Sequence, residues 1–358
     1  MRSLGISLLL VGSAALLSAA KPAAVVRAAD TMDVYAIDTE GGKAMLVISP
    51  SGETMLVDLG WTDSGMMAAP STPHIIDALK AIGVTRIDHL VMSHYDIDHI
   101  GDLPSLVAAI PVGHVYDHGD IRLAQVDDPR WARMGEIAKA RFEAYAAVRD
   151  RIGHTVLRPG DRLPIEGIDV QVIHAGGKWI TQALAGAGAP NPACATAKQA
   201  DLNPRDLEDD QSIGLLYTFG DFRMYDPADL EAHNAHELVC PNNPIGTVDV
   251  YAINVHGQNK GYSAAMVSAL SAPVILEFNG NRKGGDADVW TNLRSLATPP
   301  DIWAVHFNEP AGPEKNPAPD FIANLPGPDG NANIKISAAR NGTFTVTNGR
   351  NGFSKTYD

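Results

Sequence analysis

His94, Asp96, Asp98 and His99 place two imidazoles and two carboxylates within six residues, directly after the apolar run of His89-Leu90-Val91-Met92-Ser93 and just before Ile100-Gly101-Asp102. At the end of a buried strand such a set brings lone pairs and negative charge to the core edge, a cost that bound cations remove. A turn there folds alternate side chains toward one point, so this short spacing alone can gather several donors around a divalent cation. A helix cap at Ser93 or Asp96 needs only one such residue and accounts for neither histidine.

The elements that hold this segment follow from hydrophobic period and turn chemistry. Asp33 to Asp38, Ala44 to Ser49 and Thr54 to Asp58 read as strands, the last two joined by the turn Pro50-Ser51-Gly52-Glu53. Thr72-Pro73 is an N-cap followed by proline, opening a helix that Gly83 ends. Strand and helix then alternate: His89 to Ser93 a strand, Ile100 to Ile110 a helix, His114 to Tyr116 a strand, Arg130 to Asp150 a long helix, Asp169 to His174 a strand. Residues 175 to 211, rich in Gly, Ala, Pro, Asn and Asp, read as a long loop. Beyond it, Ile213 to Phe219 and Phe222 to Tyr225 form a hairpin around Gly220-Asp221, and strands near Val248 to Ile253, Val274 to Phe278 and Ile302 to Phe307 alternate with helices. Ile334 to Ser337 and Thr343 to Thr347 close the chain as a hairpin turning at Asn341-Gly342. Antiparallel strands followed by βα alternation, occurring twice, predict an α/β architecture of two sheets packed face to face with helices outside.

Ligands gather at the carboxyl edge of parallel strands. His118, after the strand His114 to Tyr116, is therefore expected to line the pocket. Asn279, Arg282 and Lys283, in Phe278-Asn279-Gly280-Asn281-Arg282-Lys283-Gly284-Gly285, offer an amide and two cations to an anionic or carbonyl oxygen. A solvated basic turn is the other reading of that segment. His306 ends another strand and could protonate a leaving group, or serve structure alone.

With 42 acidic and 28 basic residues the net charge is -14, which disfavours a nucleic-acid partner and points to a small-molecule substrate. Arg2, the apolar run Leu4 to Ala20 and the small residues around Val26-Arg27-Ala28 read as a signal peptide over residues 1–29, leaving one domain over 30–358. Its removal takes away Arg2, Lys21 and Arg27, so 25 basic residues face 42 acidic ones and the mature charge is -17. No other segment is long and apolar enough to cross a bilayer, so the mature chain is expected in the periplasm or outside the cell, free of the membrane. In that oxidising compartment Cys194 and Cys240, both in loop sequence, are expected to form a disulfide.

Ser93-His94-Tyr95-Asp96-Ile97-Asp98-His99-Ile100-Gly101 resembles the metallo-β-lactamase superfamily signature His-x-His-x-Asp-His, in the variant where Asp replaces the second His. That variant is similar to the extracellular domain of bacterial DNA-uptake competence proteins. Met55-Leu56-Val57-Asp58-Leu59-Gly60 resembles the strand ending in Asp-x-Gly, whose Asp lies behind the metal site. Ser212-Ile213-Gly214-Leu215-Leu216 with Ala228-Asp229-Leu230 is similar to the segment delivering a metal-bridging Asp, and Val255-His256-Gly257 to the one carrying the last histidine. The tail Asn348-Gly349-Arg350-Asn351-Gly352-Phe353-Ser354-Lys355-Thr356-Tyr357 also reads like that of exported hydrolases of this fold. The resemblance implies a four-layer αββα sandwich holding two divalent metal ions. His94 and Asp96 would bind one, Asp98, His99 and His256 the other, and Asp229 would bridge them. Zinc is the expected metal, while the Asp96 carboxylate shifts preference toward manganese or iron. Ala228 stands where the family has glycine, and Val255 where it has the first His of a pair. The third histidine of the first site has two candidates, His174 and His118, and alignment on the following glycine would put Lys178 there instead.

The expected activity is metal-dependent hydrolysis: a hydroxide held between two cations attacks a carbonyl or phosphoryl ester or amide, with Asp98 orienting it. The alternative is a secreted binding protein of the same fold that has lost turnover.

Overall fold

A computed structural model describes residues 30–63, 69–123, 128–202, 207–327 and 330–358. The expected signal peptide lies outside the described residues. In the first half the elements are β1 (Thr31–Ala36), β2 (Met45–Ile48), β3 (Thr54–Val57), α1 (Thr72–Ile82), β4 (Ile87–Val91), α2 (Leu103–Ala109), β5 (Val112–Asp117), α3 (Pro129–Ile152) and β6 (His154–Val156). Next come β7 (Arg162–Leu163), β8 (Asp169–Ala175), β9 (Lys178–Trp179), β10 (Gly214–Phe219), β11 (Phe222–Asp226), α4 (Ala232–Val239), β12 (Val250–Ala252), α5 (Ala264–Leu270), β13 (Val274–Glu277), α6 (Ala287–Arg294), β14 (Asp301–His306) and β15 (Ile322–Asn324). The chain ends with β16 (Ile334–Ala339), β17 (Phe344–Asn348) and β18 (Ser354–Tyr357).

Two nine-stranded sheets result. One runs β18-β17-β16-β1-β2-β3-β4-β5-β6, the other β15-β14-β13-β12-β11-β10-β8-β7, with β9 paired to β8. Each changes from antiparallel to parallel partway, at β3 in the first and at β11 in the second. The period-two alternation of the strands explains why the sheets stack. Met32, Val34, Met45, Val47 and Val57 face Leu215, Tyr217, Val250 and Leu276 across the interior, while Leu46, Ile48 and Leu56 turn to α1 and α2. A third apolar cluster joins Tyr251, Ile275 and Ile302 of the second sheet to α4, α5 and α6. The architecture is thus helix, sheet, sheet, helix, as the strand and helix succession predicts.

Some boundaries shift for local reasons. Ser71, not Thr72, is the N-cap of α1, and the Thr72 hydroxyl instead accepts from the Asp102 amide at 2.9 Å. The helix expected from Ile100 begins at Leu103, because Asp102 takes the N-cap position and its carboxylate accepts from Ser105 N. Within residues 175 to 211 the chain forms β9 and two short 3-10 turns, Pro192–Ala195 and Asp209–Gln211. A disulfide from Cys194 to Cys240, with Cα atoms 5.7 Å apart, ties this segment to the end of α4. Among the described residues no helix is long and apolar enough to cross a membrane.

Candidate metal centre

The parallel strands of both sheets end at one edge, and the chemistry-bearing residues follow those ends. β3 delivers Asp58, β4 delivers Ser93 to His99, β11 delivers Asp226 to Asp229, β12 delivers His256 and β13 delivers Lys283. Backbone here departs from the ordinary regions: Asp58, Ala228, Val255 and His256 all have positive φ, of 63, 52, 50 and 54°. L-residues resist that conformation, at about 1–2 kcal/mol each. The left-handed turn at Ala228 also gives a physical reason for the glycine seen there in the resembling sequences.

Asp98, His99, Asp229 and His256 are all buried, with ligand atoms within 4.8 Å of one another. His256 Nε2 lies 3.0 Å from His99 Nε2, 3.1 Å from Asp98 Oδ2 and 3.2 Å from Asp229 Oδ2. His99 Nε2 lies 3.5 Å from Asp98 Oδ2 and 3.4 Å from Asp229 Oδ1. The far side of each ring is fixed. His99 Nδ1 is 2.9 Å from Asp58 Oδ2, and His256 Nδ1 donates to the Phe278 carbonyl at 2.9 Å. Asp58 is itself anchored by Ser93, accepting from its amide and its hydroxyl at 2.7 Å each. With the Nδ1 side of each ring held outward, both Nε2 atoms face the cluster, the side from which imidazole binds a cation once its proton has left.

The electrostatics are those of a cation site. Burial alone would lower the pKa of His99, but the carboxylates of Asp229, Asp98 and Asp58 outweigh it and raise it well above the usual imidazole range. Burial opposes charge on Asp98, yet Lys283 and His99 hold its carboxyl well below the usual range, and His256 and His99 do the same for Asp229. Burial, then the neighbouring charge of His99, push His94 well below its usual value. Its Nδ1 is 3.0 Å from Ser93 Oγ, while its Nε2 is buried with no hydrogen-bond partner. An imidazole lone pair left open inside a protein is costly, and a cation is the group that satisfies it. His94 and Asp96 form a second group with Asp209, again with ligand atoms within 4.8 Å. His94 Nε2 and Asp209 Oδ1 are 3.6 Å apart, and the His94 and His99 ring centres 4.0 Å.

Other residues expected here stand elsewhere. His174 joins no ligand group among the described residues: β8 pairs antiparallel with β10, setting it opposite Gly214, and its Nδ1 donates to the Ser212 carbonyl at 2.7 Å. The packing is close enough that a Cβ at Gly214 would lie 2.0 Å from His174 Nε2, and burial brings the His174 pKa down to about 4. Lys178, the alternative there, is exposed on β9. His118 is taken up by Glu208, 2.8 Å from its Nε2, and packs on Tyr95, with its side chain almost wholly buried instead of lining open space. Asn279 spends its amide on the β14 backbone, accepting from His306 N at 3.0 Å and donating to His306 O at 2.7 Å. Arg282 is exposed and pairs with Glu309 at 3.1 Å, away from the cluster. Of that loop it is Lys283 that turns in, donating to Asp98 Oδ2 and to the Gly41 carbonyl and lying over the Trp61 ring. His306 belongs to a separate group with Asp38 and Glu40, 2.6 Å from Asp38 Oδ1, and lines a cavity of about 150 Å³ with Glu40, Asn281 and Glu309.

Sequence reasoning missed the support beneath the cluster. Lys43 is buried between the sheets, with Nζ 2.6 and 2.7 Å from the Asp226 carboxylate and 4.0 Å from Asp58 Oδ2. Glu208 was missed as well: one oxygen accepts from the Tyr95 amide at 3.0 Å, the other from the Arg122 amide at 2.7 Å. An aspartate closing a strand of the second sheet, as Asp226 does, is a weak signal. Lys43 carries none, since nothing local distinguishes it from a surface lysine.

Residues 38–182 match the sequence profile described as the Metallo-beta-lactamase superfamily. A stretch of 54 residues is 46% identical to competence protein ComA of Neisseria gonorrhoeae, covering 15% of this chain and 8% of that protein. Among solved structures, a metallo-beta-lactamase HARLDQ-motif mutant from Cronobacter sakazakii is similar at 16% identity and a TM-score of 0.33, covering 61% of this chain and 75% of its own. The diiron beta-hydroxylase CmlA of Streptomyces venezuelae is similar at 17% and 0.37, covering 69% and 44%. A diphosphatase of the PhnP family is similar at 8% and 0.38, covering 86% and 98%. The profile match takes in the whole His94 to His99 motif, so residues 38–182 resemble the metallo-beta-lactamase superfamily, and the two-sheet sandwich around the motif is compatible with that fold.

Proposed function

We propose that this protein is an exported hydrolase that works with two divalent cations on a small ester or amide carrying a carbonyl or phosphoryl centre. The observation that carries the reading is the buried convergence of Asp98, His99, Asp229 and His256, with both Nε2 atoms turned inward. Those four would hold one cation, and His94 with Asp96 would take part in holding the other, Asp229 lying between. When bound, the cations polarise the scissile oxygen and acidify a water, the chemistry this arrangement suits.

The chain's own groups then have defined tasks. Asp58 and the Phe278 carbonyl keep the Nδ1 protons of His99 and His256 away from the centre. Asp98, which Lys283 and His99 keep ionised against its burial, is placed to accept a proton from a nucleophilic water. Lys283, partly exposed above Trp61, is the cation placed to meet an anionic or carbonyl oxygen of the substrate. Small anionic substrates suit this cation in an acidic chain better than a polynucleotide does. Export is supported by the apolar leader and by the Cys194–Cys240 disulfide.

A second reading, a binding protein of this fold without turnover, draws on Lys283 and Lys260, whose ammonium groups neutralise Asp98 and Asp209 without any metal. Metal analysis separates the two. The hydrolase should carry about two equivalents of divalent metal and lose them, with its activity, on Asp229→Ala or His256→Ala. Folded wild-type protein that takes up neither zinc nor manganese would sink the proposal.

A further inference from the structure

The first half of the motif is short of a ligand. His94 and Asp96 supply two donors, and neither His174 nor His118 belongs to their group among the described residues: His174 donates from Nδ1 to the Ser212 carbonyl and leaves Nε2 without a hydrogen-bond partner, but stands outside the group, and His118 Nε2 meets Glu208. What faces His94 Nε2 is Asp209, at 3.6 Å. We infer that Asp209 is the third protein ligand of the first cation site, which is therefore built from one imidazole and two carboxylates.

Four features point there. His94 is fully buried and its Nε2 has no hydrogen-bond partner, so an open lone pair is aimed at the carboxylate. Two donors each about 2.0–2.2 Å from one cation stand about 3–3.5 Å apart, so the present separation needs little adjustment. The carrier segment is also fastened to the motif itself. Glu208, immediately before Asp209, accepts from the Tyr95 amide and meets His118, while Ile213 N donates to the Ser93 carbonyl at 3.0 Å. Asp209 therefore moves with the loop that carries His94 and Asp96. Finally, the second oxygen of Asp209 is held by Lys260, and Asn234 donates to the adjacent Asp210 at 2.6 Å. An outer partner on one oxygen is the usual support for a metal-ligating carboxylate.

The assignment rests on the two-cation reading and deepens it by setting metal preference. Two carboxylates and one imidazole make a hard site that favours manganese or iron, whereas the His99 and His256 site, with two imidazoles, suits zinc better. The two positions of one centre are thereby made unequal.

The full mature chain, stripped with EDTA and confirmed folded by circular dichroism, is titrated separately with MnCl2 and ZnCl2, and bound metal is read by elemental analysis and by the Mn(II) electron paramagnetic resonance signal. Wild type should hold about two equivalents and Asp209→Ala about one. Asp209→His should hold two again, with the zinc-over-manganese preference of the restored site raised at least ~10-fold. Should Asp209→Ala not fold, Asp209→His alone decides through that preference. Two equivalents in both wild type and Asp209→Ala with unchanged manganese affinity, or an unchanged preference in Asp209→His, would overturn the assignment while leaving the two-cation reading intact. A wild type that binds neither metal removes that reading, and the assignment with it.

Discussion

Lys43→Met removes an ammonium buried between the two sheets, leaving the Asp226 carboxylate without its counter-charge and Asp58, 4.0 Å from the same nitrogen, with His99 alone. At the 2.6 Å contact the gross attraction is about 6 kcal/mol for an effective dielectric of about 20, much of it offset by the desolvation of both groups. Loss of one partner from such a buried pair costs about 3–5 kcal/mol, because the surviving charge stays in the interior. Methionine keeps most of the stem volume and its packing near Phe278, so the loss reads charge rather than a cavity. Asp226→Asn should cost a comparable amount, and the double variant should recover about 2–3 kcal/mol relative to the sum of the singles. The assay is urea unfolding of metal-stripped protein, where cation binding adds nothing to the folded state. Strictly additive singles, or a Lys43→Met loss below about 1 kcal/mol, would refute the idea that the two sheets are joined under the candidate metal centre by this pair.

Two further outcomes follow from the structure. Replacing Cys194 and Cys240 together by alanine opens a loop closed across 46 residues, which on chain entropy alone lowers stability by up to about 4 kcal/mol, read from the denaturant midpoint; a loss under about 1 kcal/mol would mean that packing holds the segment by itself. His306→Gln breaks the buried pair with Asp38, in which, despite burial, the contact raises the His306 pKa and lowers that of Asp38. Asp38 contributes above its unfolded pKa and loses that contribution as pH falls through its depressed folded value. His306 contributes below its unfolded pKa and loses it as pH rises through its raised one. The stability gap between wild type and variant is therefore expected to be widest from about pH 4 to 6.5 and to narrow on both sides, and an equal gap at pH 5 and pH 9 would contradict it.

Much of the architecture was legible in the chain because its signals are local. Met32, Val34, Met45 and Val47 alternate along single strands, Pro73 and Gly83 bracket one helix, and Gly220-Asp221 turns one hairpin. The edge strands β6, β7, β15 and β18 were not legible: they are short or exposed, and a strand of that kind is defined by the neighbour it pairs with. The crowding of His94, Asp96, Asp98 and His99 within six residues likewise pointed to a candidate cation site without any structure, since a helix cap needs only one such residue.

The partners of that motif are another matter. Whether His174, His118 or Asp209 faces His94 depends on the β8–β10 register and on Glu208 bridging two loops, and both are contacts between residues far apart in the chain. The same holds for Lys283 turning inward while Arg282 beside it turns to solvent, and for Lys43 meeting Asp226 across 183 residues. Residue types and short spacings by themselves determined the fold class and pointed to the kind of chemistry proposed. Which side chains complete the centre was decided only by tertiary structure, because register and sheet-to-sheet packing choose among chemically equivalent residues that no local pattern tells apart.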